Sequence, residues 1–213
     1  MGVGIVILAM FGVGAVLLGA GNRLRSITNV QVRKLWIKYV TYFGVVGGVV
    51  ALSANRWTLF TGLIAIGSMC IGEVVRARAY LAALWVAVSV VCALNNSHFQ
   101  AMYLVVAAAD GFAQTGGRLM GGPRPWPRTS PQKTLSGAIC GVAAAMLLGT
   151  VLGTGPYTAA ALALAGFAGD LAASKVKRSA GIKDFGNALP EHGGFMDRFD
   201  SLWGAALLGA ILC

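Results

Sequence analysis

The sequence predicts an all-α, polytopic membrane protein of about eight helices, seven to nine, with its chemistry at one face. Three observations predict it. Of 213 residues, 57% are hydrophobic and only 11% charged, where a soluble domain carries about 45–50% apolar and about 25% charged residues. The mean hydropathy is +0.73. The apolar residues run in stretches approaching the roughly 20 residues a bilayer-spanning helix needs, and the cations concentrate in alternate connections between them. Such composition excludes disorder, which needs low hydrophobicity and high charge, and leaves no room for a separate soluble domain.

The elements follow in order. Met1–Ala20 is uncharged and glycine-rich, lacks the basic start and cleavage site of a signal peptide, and is expected to be a first helix. Gly21–Lys38 is a basic connection. Tyr39–Ala54 is the second span, Asn55-Arg56 a turn, and Trp57–Gly72 the third span, followed by Glu73, Arg76 and Arg78. Ala79–Leu94 is the fourth, Asn95–His98 a polar turn, and Phe99–Gly117 the fifth, with Asp110 inside it. Arg118–Lys133 is a Pro-rich basic loop, Thr134–Thr150 the sixth span and Gly153–Pro156 a turn. Tyr157–Ser174 is the seventh span, Lys175–Arg198 a polar loop, and Phe199–Cys213 the eighth. Residues 1–98 read as a scaffold of transmembrane helices, and residues 99–213 as the region that holds six of the seven acids.

The first, third, fifth and seventh connections hold sixteen of the seventeen Lys and Arg, and the others hold only Arg56. Cytoplasmic loops carry such an excess, so these four are expected to be cytoplasmic, in an inner or plasma membrane, with both termini outside. The net charge of +10 then needs no nucleic acid as partner; the bilayer with its anionic head groups suffices. Glycine-rich faces are compatible with a homodimer. Cys70, Cys92, Cys140 and Cys213 show no CxxC spacing and read as small buried hydrophobes. No internal repeat stands out.

The seven acids are Glu73, Asp110, Asp170, Asp184, Glu191, Asp197 and Asp200. A carboxylate inside a span is costly and by default functional. Asp110 lies about 12 Å from the cytoplasmic end of its helix at 1.5 Å per residue. Asp170 lies about one turn from its own, and Asp197 opens the last helix from that side. Asp170, Ser174 and Lys177 stand on one helical face, as do Asp110, Gln114 and Arg118. Around them lie Ser130, Lys133, Arg178, Lys183, His192 and Arg198. Few carboxylates amid many cations suit a divalent metal with phosphates, and His192-Gly193-Gly194 offers backbone that a ligand can approach closely. A P-loop and a GxSxG elbow are both absent.

The segment from Ser174 to Asp200, SKVKRSAGIKDFGNALPEHGGFMDRFD, resembles the signature of the phosphatidate cytidylyltransferase (CDP-diacylglycerol synthase) family, S-x-hydrophobic-K-R-x4-K-D followed by H-G-G-x2-D-R-x-D. Asp110 to Arg118 is similar to that family's D-x7-R helix end, and Ser130-Pro-Gln-Lys-Thr134 to its S-P-x-K-T loop. Ser136 stands where the family usually has Glu. The resemblance implies that CTP and phosphatidate give CDP-diacylglycerol and pyrophosphate. It implies Mg²⁺ at Asp170 and Asp197, as one ion or two, with or without a monovalent cation. Lys133, Lys177, Arg178 and Lys183 would meet phosphates, and Asp110, Ser130 and His192 the nucleotide. Arg118, Thr134, Ser174, Gly193, Gly194 and Arg198 complete the expected substrate contacts. The rival readings are a cytidylyltransferase or CTP-dependent kinase of another lipid or polyprenol, a small transporter, and a structural membrane protein.

Overall fold

The computed structural model describes residues 3–24, 29–189 and 193–212. Among them eight helices follow one another: α1 Val3–Leu24, α2 Asn29–Leu52, α3 Arg56–Arg76, α4 Tyr80–Asn95, α5 Phe99–Met120, α6 Leu135–Leu152, α7 Pro156–Ser179 and α8 Met196–Leu212. A single antiparallel bridge, Leu189 to Gly193, is the extended pairing among these residues. The protein is an all-α polytopic membrane protein. Four helices, α2, α3, α6 and α7, are long and apolar enough to cross a bilayer, and α1 and α4 carry shorter apolar stretches. Trp57, Leu81, Tyr157 and Ile211 are 78–85% exposed, and lipid solvates such side chains as water does not. Trp57 and Tyr157 open α3 and α7 at the same end of the bundle, as amphipathic aromatics at a bilayer interface do.

Several helices run past their expected ends, α1 to Leu24, α3 to Arg76 and α5 to Met120 among them, and three further shifts have a local reason. Helix α2 starts at Asn29, so Arg33, Lys34 and Lys38 ride on its first turns rather than in a connection; no Gly or Pro interrupts residues 29–43. Helix α7 continues to Ser179 and carries Lys177 and Arg178. Helix α8 starts at Met196 with Asp197 in its first turn, where the helix dipole favours an anion.

The centre is α5, buried without a break from Met102 to Ala109. It meets α6 closely because Gly137 and Gly141 face it: a Cβ on either would lie 2.5 Å from the carbonyl oxygen of Ala113 or Ala109. Helices α7 and α8 cross as tightly, since a Cβ on Gly169 would lie 2.7 Å from Gly204 Cα and 2.8 Å from the Asp200 carbonyl oxygen. Small residues permit such approach between membrane helices. This crossing sets Asp170 of α7 beside the start of α8.

Candidate active site

The α7–α8 crossing gathers the buried charge. Lys177 Nζ lies 2.8 Å from Asp197 Oδ1 and 4.0 Å from Asp200 Oδ2, and 5.6 Å from the centre of the Phe185 ring. All three charged side chains are at most one-tenth exposed. The second oxygen of Asp197 accepts from the backbone N–H groups of Phe185 at 2.8 Å, Gly194 at 2.9 Å and Gly186 at 3.4 Å. Asp197 thus ties both arms of the connection from α7 back onto the first turn of α8. Its reach to Gly194 has the i to i−3 spacing of a capping box.

Glu73 holds the same turn from outside. It comes from the end of α3, is 5% exposed, and accepts from Phe195 N at 3.1 Å and Met196 N at 2.9 Å. A helix start leaves its first N–H groups without intrahelical partners, and Glu73 supplies both an acceptor and a charge matched to the dipole. It fits because Gly186 has no side chain: a Cβ there would sit 2.5 Å from Glu73 Oε1. Glu73→Ala is expected to cost about 2–3 kcal/mol, the worth of hydrogen bonds to a charged group, and to lower the unfolding temperature in detergent by several degrees. Glu73→Gln should keep part of this. Unfolding of the alanine variant at the wild-type temperature would show that the turn is held elsewhere.

A cleft of about 430 Å³ opens beside this cluster between α5, α6, α7 and the loop from Gly121 to Thr134, a size usual for small-molecule sites. Asp170 lies on its α7 wall, with Lys133 Nζ 2.7 Å from Oδ2 and Ser174 Oγ donating to Oδ1 at 3.3 Å. The Lys133 ammonium also stands 4.2 Å over the Phe167 ring. Thr134 caps α6 by accepting from Gly137 N at 3.1 Å, which fixes the loop that carries Lys133. Asp110, Gln114 and Arg118 form one wall, and Arg124, Ser130 and Gln132 lie around it. Across α5, Arg198 Nη2 is 3.7 Å from Asp110 Oδ2, and its guanidinium lies 5.2 Å over the Tyr42 ring.

Residues 3–213 match the family model described as the cytidylyltransferase family. The chain belongs to that family. It is 44% identical over 121 residues to the phosphatidate cytidylyltransferase of Helicobacter pylori, covering 52% of this chain and 45% of that protein. It is 46% identical over 116 residues to the one of Brucella abortus, covering 50% and 43%. It is 36% identical over 125 residues to the one of Rickettsia bellii, covering 51% and 54%. The chain therefore spans about half the length of the curated relatives it matches. No solved structure matches it.

In this chain the residues singled out in the sequence fall into three groups. Asp110, Arg118, Ser130, Lys133, Thr134 and Asp170 line the cleft, with Ser174 hydrogen-bonded to the last. Lys177, Asp197 and Gly194 belong to the buried cluster beside it, Arg198 pairs instead with Asp110 across α5, and a Cβ on Gly193, whose φ is +77°, would lie 2.9 Å from Asp197 Oδ2. Arg178 and Lys183 are exposed, and the Arg178 guanidinium donates to the Ile182 carbonyl at 3.2 Å, so the structure does not bring these two into the cleft. His192 lies outside the described residues. Four residues were given no site role from the sequence: Glu73, Tyr42, Phe167 and Asp200. Glu73 and Tyr42 lie far away in the chain and carry no local signal. Phe167 reads as one more apolar residue of a span. Asp200 closes the signature three residues after Asp197, a spacing that places both on one face of α8.

Proposed function

We propose that this protein transfers the cytidylyl group of CTP to the phosphate of phosphatidate at the cytoplasmic face of a membrane, releasing pyrophosphate and leaving CDP-diacylglycerol. The cleft carries this reading: three cations, Lys133, Arg118 and Arg124, facing two carboxylates, Asp170 and Asp110, suit a polyphosphate. A phosphate monoester is largely dianionic near neutral pH, with a second pKa of about 6, so the lipid phosphate can attack the α-phosphorus of CTP without a protein base. The obstacle is repulsion between two anions. Lys133 and Arg118 offset it and take up charge on the leaving pyrophosphate, as cations do in phosphoryl transfer. The cation-rich odd connections support the cytoplasmic placement, with both termini outside.

Asp170 fits the magnesium that such a reaction uses. Mg²⁺ is commonly held through one or two carboxylates plus substrate phosphates, and among the described residues no three His, Cys, Asp or Glu converge as a cage. Asp197, the second expected ligand, fits less well, because Lys177 and three backbone N–H groups take up its oxygens. Bound at Asp170, the ion would neutralise phosphate oxygens and polarise the phosphorus, while Asp197 and Lys177 keep α7, α8 and their connection in register. Purified protein in detergent, given CTP labelled in its cytidine, Mg²⁺ and phosphatidate, is expected to yield labelled CDP-lipid and unlabelled pyrophosphate. Formation of CDP with a new lipid phosphate from a lipid alcohol would overturn the reading in favour of a kinase.

A further inference from the structure

The connection from α5 to α6, residues 121–134, forms no helix, and its two ends are tied together. Surface loops closed at the base in this way are frequently functional. Leu135 N–H donates to the Pro123 carbonyl at 2.9 Å, and the Ser136 hydroxyl donates to the Gly121 carbonyl. Ser136 Oγ also lies 3.1 Å from Thr134 Oγ1, which accepts from Gly137 N at 3.1 Å. A hydroxyl has one proton to give and lone pairs with which to accept. The Gly121 carbonyl can only accept, so it takes the Ser136 proton, and Thr134 donates to Ser136. A chain of hydrogen bonds thus runs in one direction, from Gly137 N–H through Thr134 and Ser136 to Gly121, and such chains reinforce their members. Its inner end is firm. Thr134 is 5% exposed and seated where Gly117 of α5 has no side chain, since a Cβ there would lie 2.6 Å from the Thr134 hydroxyl oxygen.

The outer end of that chain meets a hinge. Gly121 and Gly122 have φ of +65° and +110°, conformations that suit glycine, and the carbonyl that Ser136 holds belongs to the peptide joining the two. The loop beyond the hinge carries cations to the cleft. Arg124 follows Pro123 and Lys133 precedes Thr134, so each stands one residue from a tied position, and both line the cleft with Ser130 and Gln132 between them. Lys133 is held again by Asp170 at 2.7 Å, and the Trp126 ring packs edge-on against Phe167 of α7, with centroids 5.1 Å apart. The geometry points to Ser136 as a positioning residue for the nucleotide: by holding the Gly121 carbonyl it fixes the hinge, and so sets Arg124 opposite Lys133 for a polyphosphate that it does not itself touch. The inference rests on the cytidylyltransferase reading and deepens it by naming a group that sets the affinity for CTP. A hydroxyl suits the task because it donates; a carboxylate at this position would only accept and would repel the same carbonyl.

Two variants and one cleavage experiment test this. Ser136→Ala removes the tie and leaves Thr134 capping α6, so the unfolding temperature in detergent should change little. Its KM for CTP is expected to rise about tenfold, within what a small misplacement of binding groups costs, with the KM for phosphatidate within about twofold of wild type. Ser136→Thr keeps the hydroxyl and should return the KM for CTP to the wild-type value. The second readout needs no turnover. Arg128 is exposed in the loop and is followed by Thr129, a bond that trypsin accepts. Cleavage there, read from the fragment masses of the detergent-solubilised protein, should be faster in Ser136→Ala than in wild type, and CTP with Mg²⁺ should slow it. An unchanged KM for CTP in Ser136→Ala, an equal rise in both KM values, a threonine variant no better than the alanine one, or cleavage at the wild-type rate would each overturn the inference. If the wild type made no CDP-lipid, yet CTP slowed a cleavage that Ser136→Ala accelerates, the reaction would be overturned and the tie upheld.

Discussion

Asp170→Asn is expected to lower kcat for CDP-lipid formation by about a hundredfold or more, the scale on which metal-site mutations act, with little change in the unfolding temperature in detergent. The geometry separates the two effects. The Asp170 carboxylate is 22% exposed and pairs with a Lys133 that is 17% exposed; a pair open to the cleft in this way contributes about 0–1 kcal/mol, and the Ser174 contact at 3.3 Å adds little. Asparagine keeps the shape and one acceptor oxygen, so the fold loses almost nothing. What it lacks is the charge that would hold a divalent cation beside the phosphates. Residual turnover should therefore respond to added Mg²⁺, saturating at a higher concentration than in the wild type. Half of the wild-type kcat in the variant would remove the metal from Asp170 and leave Lys133 as the group that matters on that wall. Asp197→Asn should behave in the opposite sense and cost stability first, because its carboxylate gathers backbone donors from Phe185, Gly186 and Gly194.

The parts of this design that were legible in the sequence are those written within one helix. The stripes Asp110-Gln114-Arg118 and Asp170-Ser174-Lys177 follow from the 3.6-residue period alone, and the structure places the first along the cleft and closes a hydrogen bond within the second. Helix ends were less legible where charge and helix coincide. Hydropathy reads Arg33, Lys38, Lys177 and Asp197 as connection, yet all four are helical, because dipole, capping and tertiary partners settle a helix end as much as hydropathy does. Arg178 shows the complementary error. It is next to Lys177 in the signature, but one residue along a helix turns a side chain by about 100°, and that rotation carries it from the buried cluster to the surface. Glu73 was invisible for a different reason: its partners, Phe195 and Met196, lie 122 and 123 residues away, and alone it reads as a charge at a span's end. The acids of α8 became legible only as a set, once the tight contact of Gly169 with Gly204 put them beside α7.

Lys177→Met is expected to destabilise the protein by roughly 3–5 kcal/mol, the usual result of removing one partner of a buried ion pair, and to abolish turnover. Two carboxylates depend on this one ammonium: Asp197 at 2.8 Å and Asp200 at 4.0 Å, with side chains 5% and 6% exposed. Methionine fills much of the volume, so the loss is electrostatic rather than a cavity. A second substitution isolates the cause. Adding Asp200→Asn to Lys177→Met removes one of the stranded charges, and Asp197 still has its backbone donors. The double variant should therefore unfold at a higher temperature than the single one, a coupling of the kind that contacting charges show in double-mutant cycles. Turnover should not return with it, since the link between α7, α8 and the connection that Asp197 clamps is still broken. If Lys177→Met kept both wild-type stability and wild-type kinetics, the lysine would be only one more cation orienting the chain in its membrane. If the double variant were no more stable than the single one, Asp200 would not share the ammonium, and the cluster would reduce to the Lys177–Asp197 pair.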